Sequence, residues 1–212
     1  MTTPRGWVPL ALCLAGASLG CADQPGRRDV PNAARADSAV AAADTMPPQA
    51  AVDRARAAAN GLGKELQGKL FAALDSGGPA RAVAYCADSA QAWTARHARE
   101  GVYVRRVSLR VRNPANRPDS VEERQLHILD SLHRARALPG EVVRSRVTPE
   151  GERVVEYVRP ILVQERCLSC HGERARLAPE VRELLASRYP ADQATGYRAG
   201  DLRGMLSVRV PR

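Results

Sequence analysis

Leu62, Leu66, Leu70 and Leu74 recur every fourth position, with Phe71 beside them, across a stretch starting near Val52. That spacing predicts an amphipathic helix. Gly61 and Gly63 weaken its middle. Ser76-Gly77-Gly78 stops it, and Pro79 suits the first turn of a second helix. There Val83, Cys86, Ala90, Trp93 and His97 follow steps of three and four and share one face, which predicts an inward-looking Cys86. Gly101 closes that helix.

The period then changes to two. In "VYVRRVSLRVRN" Val107, Leu109 and Val111 alternate with Ser108 and Arg110, while Val102 and Val104 have the opposite parity. The pattern predicts a strand with a bulge near Arg105-Arg106. "NPANRPDS" reads as a loop, and Ser120-Val121-Glu122-Glu123 has the form of a capping box opening a helix to about Ala137. Leu126, Leu129 and Leu132 are its inward residues. Two strands follow, about Glu141 to Val147 and Arg153 to Val163, joined as a hairpin through "TPEG". Pro179 to Arg188 is a short helix facing inward with Val181, Leu184 and Leu185. Leu206, Val208 and Val210 alternate in a closing strand. Helices first, then an antiparallel sheet with a helix inserted, make an α+β fold.

The N-terminus has another character. Arg5 precedes an apolar run from Trp7 to Leu19, the length of a signal-peptide core and too short to span a bilayer. It ends at Ser18-Leu19-Gly20-Cys21, similar to a lipoprotein cleavage box that would leave Cys21 as a lipidated first residue. An ordinary signal peptide is the alternative, because leucine is expected where Ser18 stands. Residues 22 to 50 mix Pro, Ala, Asp and Arg with no apolar period and read as a disordered tether. The expected division is a signal peptide over 1–20, a lipidated N-terminus and tether over 21–51, and a folded domain over 52–212. Export to the periplasm or the outer face of a membrane follows, lipid-anchored through Cys21 or else soluble.

At 212 residues, 44% hydrophobic and 26% charged, the chain can build a core. The formal charge of +9 is mostly arginine. No nucleic-acid motif accompanies it, and export would remove the polymer from reach, so no nucleic-acid partner is expected.

Five cysteines sharpen the picture. Cys13 leaves with the signal peptide and Cys21 would carry lipid. Cys167-Leu168-Ser169-Cys170-His171 has the C-x-x-C-H spacing of covalent c-type haem attachment. Two thiols one helical turn apart can meet the two vinyl groups on one porphyrin edge. The following imidazole then lies under the ring, within reach of the iron. A thioredoxin-like pair would not need the histidine, and a structural zinc site would need a second pair of ligands.

A six-coordinate iron takes one more ligand, for which Cys86, Met205, His97, His127 and His133 are the candidates. His97 lies about 16 Å along the helix from Cys86, so only one of the two can reach the iron. Residue logic favours Cys86, an inward cysteine without a disulfide partner in an oxidising compartment. A small inert core cysteine is the competing reading.

"AVAYC" (82–86), "RRVSLRVRNPANRPDSVE" (105–122), "CLSCHG" (167–172) and "YPADQATGYRAGDLRGMLSV" (189–208) together resemble a family of single-haem c-type domains. That family has a PAS-like fold and histidine/cysteine axial ligation, and occurs alone and as the extracytoplasmic sensor of membrane receptors. The resemblance implies thioether bonds at Cys167 and Cys170, proximal ligation by His171, distal ligation by Cys86, and one covalent haem c. It also suggests that the "RNPANRP" and "ATGYRAGD" loops wall the pocket, with arginines such as Arg106 and Arg112 pairing with the propionates. The expected protein is a low-potential redox or diatomic-gas sensor module, with a simple electron-transfer cytochrome as the alternative. It is not expected to be an enzyme, and it would need a separate redox or signalling partner.

Overall fold

The computed structural model describes residues 46–212. The expected signal peptide, Cys13, Cys21 and most of the expected tether lie outside the described residues. The first helix, α1, runs Gln49–His97 and is broken inside at Gly77 (φ −156°, ψ 18°) and Gly78 (φ 70°, ψ −175°). It begins three residues before the expected domain boundary, and its first turn already contributes buried Ala51 and Val52. The positive φ at Gly78 favours glycine, and Pro79 then restarts the helix with its preset φ.

The break folds the two arms of α1 back on each other. His97 reaches Glu65 at 2.8 Å, and Trp93 lies under the Lys69 ammonium at 4.2 Å. Gly61 belongs to this contact, because a Cβ there would press on the His97 ring at 3.0 Å.

Four strands form one antiparallel sheet in the order β1-β4-β3-β2: β1 Tyr103–Val107, β2 Val142–Val147, β3 Arg153–Leu162 and β4 Leu202–Pro211. β2 and β3 make the expected hairpin, closed by Gly151 at φ 86°. The last strand of the chain lies centrally, between β1 and β3.

Both faces of this sheet are covered. The first arm of α1 packs Ala55, Ala59, Leu62 and Leu66 on Val104, Val155, Tyr157, Leu206 and Val208. On the opposite face, α2 (Ser120–Arg134) packs Leu126 and Leu129 on Val107, Val158 and Met205.

This double cover corrects the bulge expected in β1. Its register with β4 is unbroken from Tyr103↔Arg209 to Val107↔Met205. The parity change between Val104 and Val107 arises because each residue meets a different helix. The irregularity lies instead between β3 and β4, where Ile161↔Gly204 is followed by Leu162↔Leu202 and Arg203 is skipped. The capping box also sits one residue earlier than expected. Asp119 is the N-cap, accepting from Val121 and Glu122 amides at 2.9 and 2.8 Å, and the Glu122 carboxylate accepts from the Asp119 amide.

A third cluster joins Val83 on the second arm of α1 to Leu177 and to Val181, Leu185 and Tyr189 in and after α4 (Pro179–Arg188).

Two outcomes follow. A Cβ at Gly204 would run into the Val107 carbonyl oxygen and lie 3.1 Å from the Ser108 Cβ. Gly204→Ala is therefore expected to cost about 1–3 kcal/mol in urea unfolding. Gly140→Ala, with open space around it, should be near neutral. Burial pushes the Asp119 carboxyl up, but the Glu122 amide, the Arg209 guanidinium and the Val121 amide outweigh it and hold the pKa below the ordinary value. A depressed carboxylate stabilises above its unfolded pKa and loses that contribution as pH falls through the folded one. Asp119→Ala should thus cost about 1 kcal/mol near neutrality, with the difference from the parent closing below about pH 4.

Candidate functional site

The apolar stripe of the first arm does not stay in the core along its whole length. Leu62 and Leu66 are buried against the sheet, whereas Leu70, Phe71 and Leu74 run beyond it and line a cavity of about 860 Å³. Cavities of roughly 300–1,000 Å³ with mostly apolar walls are the common form of small-molecule and cofactor sites. Ile161 and Leu206 continue the apolar wall from the sheet side.

All four predicted site residues open onto this cavity: Cys86 from the second arm of α1, and Cys167, Cys170 and His171 from the turn after β3. Gln164 opens a short 3₁₀ turn, Glu165–Cys167, which passes into the single-turn helix α3, Leu168–His171. That turn carries Cys167, Cys170 and His171 in succession. Among the described residues no group of three or more His, Cys, Asp or Glu could hold a bare metal ion. The cysteines and histidine surround a cavity instead of closing on a point.

His171 is fixed by its surroundings. Its Nδ1 lies 2.7 Å from the Ala194 carbonyl. A carbonyl only accepts, so Nδ1 carries the proton and Nε2 keeps its lone pair. Burial, with Arg112, Arg203 and Arg110 nearby, pushes the imidazole pKa well below its ordinary value and keeps the ring neutral. The Tyr197 ring meets the His171 ring edge-on at 6.2 Å between centroids. Burial raises the thiol pKa of both Cys86 and Cys170; at Cys86 it is opposed by Arg106 and Arg112, and at Cys170 by the Ser169 hydroxyl and Arg112.

The loop after Tyr189 holds this turn from behind. Gly196 and Tyr197 amides donate to the Gly172 and His171 carbonyls at 2.6 and 2.9 Å. Arg112 donates to the Cys170 carbonyl at 2.6 Å and the Ala194 carbonyl at 3.1 Å, and pairs with Asp192, whose side chain is 1% exposed. Asp192 also accepts from the Ala194 amide at 2.8 Å. The expectation that "ATGYRAGD" walls the pocket is therefore corrected: this loop backs the cysteine-histidine turn, while Arg112 and Asn116 of the "RNPANRP" region do line the cavity. Arg112 is already paired with Asp192, so of the two arginines expected to face an anion only Arg106 stays uncommitted. The sequence reading missed Arg203 and the Arg112–Asp192 pair, which join positions 80 residues apart.

The competing sixth ligands lie elsewhere. Met205 is fully buried on the α2 side of the sheet, away from the cavity. His97 is bonded to Glu65. His127 and His133 sit on α2 and do not line the cavity.

Residues 30–211 match the protein family described as Tll0287-like: Tll0287. No curated protein matches the chain. Among solved structures the chain is similar to the cyanobacterial heme-protein Tll0287, at 28% identity and a TM-score of 0.59. That alignment covers 79% of this chain and 98% of the other.

The buried pair carries a stability prediction. Asp192→Ala strands the Arg112 guanidinium and should cost about 3–5 kcal/mol. The double variant Arg112→Met/Asp192→Leu should recover only part of that loss, because the Cys170 and Ala194 carbonyls lose their Arg112 donor and the Ala194 amide its acceptor. Denaturant titration of the two variants beside the parent measures both.

Proposed function

This chain belongs to the Tll0287-like family, and from that premise we propose that it is a haem protein with one haem covalently attached through Cys167 and Cys170. His171 is the proximal ligand and Cys86 the distal one. The observation that carries this reading is the convergence of those four side chains on one apolar-walled cavity. The solved relative's description as a heme-protein supports the cofactor. The histidine/cysteine ligation and the PAS-like character rest on the sequence resemblance, together with the exclusion of Met205 and His97 from the cavity.

In that position a haem supplies a one-electron centre whose potential a thiolate ligand lowers. The chain's own part is positional. His171 presents Nε2 because the Ala194 carbonyl holds the proton on Nδ1. Leu70, Phe71 and Leu74 keep water from one wall. Cys86 stands on the arm of α1 beyond the Gly77-Gly78 break, so a change in its attachment is transmitted to a helix with a built-in pivot. That placement favours a redox or diatomic-gas sensor over a plain electron carrier. With His171 and Cys86 both engaged in holding the group, neither would be left to act on a substrate, so we do not assign an enzyme activity. Covalent attachment suits an exported protein, with a lipid at Cys21 as its anchor and a separate signalling or redox protein as its partner.

Spectroscopy of protein matured with a cytochrome-assembly system tests each element. The parent should keep its pigment through a denaturing gel, and Cys167→Ala/Cys170→Ala should lose it. Ferric Cys86→Ala should lose the low-spin thiolate signature in absorption and electron paramagnetic resonance; an unchanged spectrum removes Cys86 as the ligand. Loss of thiolate ligation in the parent on reduction or on adding carbon monoxide supports the sensor. Retention of both ligands indicates the carrier.

A further inference from the structure

The cavity wall is one-sided in charge. Lys64, Arg106, Arg112, Arg159, Arg166 and Arg203 line it, and no aspartate or glutamate does. Four of these cations are accounted for. Lys64 is exposed. Arg112 pairs with Asp192 and Arg166 with Asp75, and Arg159, whose acceptors are also neutral, reaches out to Asn60 in an exposed bond and to the Ala59 carbonyl, so water can complete its solvation.

Arg106 and Arg203 differ. Arg106 projects from β1 on the α1 side of the sheet, and its Nε is buried with no hydrogen-bond partner among the described residues. Arg203 is the residue that the β3–β4 register skips, so the bulge turns it out of the strand alternation. Its guanidinium donates to the Ser108 hydroxyl at 2.6 Å and the Arg110 carbonyl at 3.2 Å, both neutral acceptors. No carboxylate among the described residues forms an ion pair with either. Burying a charge without a counter-charge is costly, and a buried unpaired guanidinium donor marks a missing acceptor.

We infer that Arg106 and Arg203 form a carboxylate-binding site inside the cavity, resting on the haem reading for its resident occupant, the propionates of the bound porphyrin. Arginine's planar fork matches a carboxylate through two parallel hydrogen bonds. The Ser108 hydroxyl and Arg110 carbonyl hold the Arg203 fork in place. Burial pulls the pKa of both guanidinium groups down, as expected for cations awaiting an anion, yet arginine stays charged. The same chemistry would accept a free carboxylate from solution if the propionates were directed outward.

The test uses ferric holoprotein and the variants Arg106→Gln and Arg203→Gln, with Arg198→Gln on the exposed loop as control. If the propionates occupy the site, their resonance Raman bending bands shift in both cavity variants and stay fixed in the control. The axial-ligand features remain unchanged in all three. If the occupant comes from solution, the propionate bands do not move. Sodium acetate then perturbs the parent spectrum, with an apparent affinity about tenfold or more weaker in the cavity variants. Arg106→Lys, which keeps the charge and loses the fork, covers the case in which Arg106→Gln fails to mature. Unmoved propionate bands together with no acetate effect overturn the site. Colourless protein defeats the haem reading alone; acetate protection against thermal unfolding, present in the parent and lost in Arg106→Gln, then still decides the carboxylate site.

Discussion

Three segments far apart in the chain meet at Arg112. Its guanidinium holds Asp192, the Cys170 carbonyl and the Ala194 carbonyl together. That last oxygen also accepts the His171 Nδ1 proton. One buried cation thereby fixes the loop after β1, the cysteine-histidine turn and the loop before β4 as a unit. Because Asp192 is 1% exposed, water cannot replace Arg112 at its carboxylate if that partner leaves. The orientation of the imidazole, and so which nitrogen faces the cavity, depends on this contact.

The cavity itself is a consequence of how α1 ends its packing. The sheet is shorter than the helix arm, so Leu62 and Leu66 find strands to cover them while Leu70, Phe71 and Leu74 do not. The break at Gly77-Gly78 then brings the second arm back along the first, and with it Cys86, as a lid of backbone over this uncovered apolar stretch. The same break that interrupts a helix thus closes a pocket. A straight helix would have left the stripe in solvent and Cys86 far from Cys170.

Charge is distributed by the same geometry. On the α2 side of the sheet, buried Glu156 is met by Arg146 at 2.6 Å and by Gln125 at 3.0 Å, and Glu122 by Arg105 at 3.4 Å. There every one of these arginines has a carboxylate within ion-pair distance. On the cavity side the arginines have no such partners at Arg106 and Arg203, so the molecule concentrates unpaired positive charge where it also gathers its thiols and its neutral imidazole.

Much of this was legible along the chain. The helix stripes, the Gly-Gly-Pro break, the hairpin and the C-x-x-C-H turn are local, and spacing alone decides which side chains share a face or a turn. The α+β class follows from their order. The bulge at Arg105-Arg106 was misread because a strand covered on both faces loses its alternation, and nothing in five residues says how many helices will pack on them. The capping box was misplaced by one residue because Asp119 and Ser120 are both good caps, and Arg209, ninety residues away, selects Asp119. The sequence by itself singled out the cysteines and the histidine that line the cavity. Only the tertiary structure decided that Cys86 faces the cavity, that Met205 lies beyond the sheet, and that Arg112 has a carboxylate partner while Arg106 and Arg203, among the described residues, have none. Those outcomes turn on strand register and on pairing between distant segments, which local periodicity does not encode.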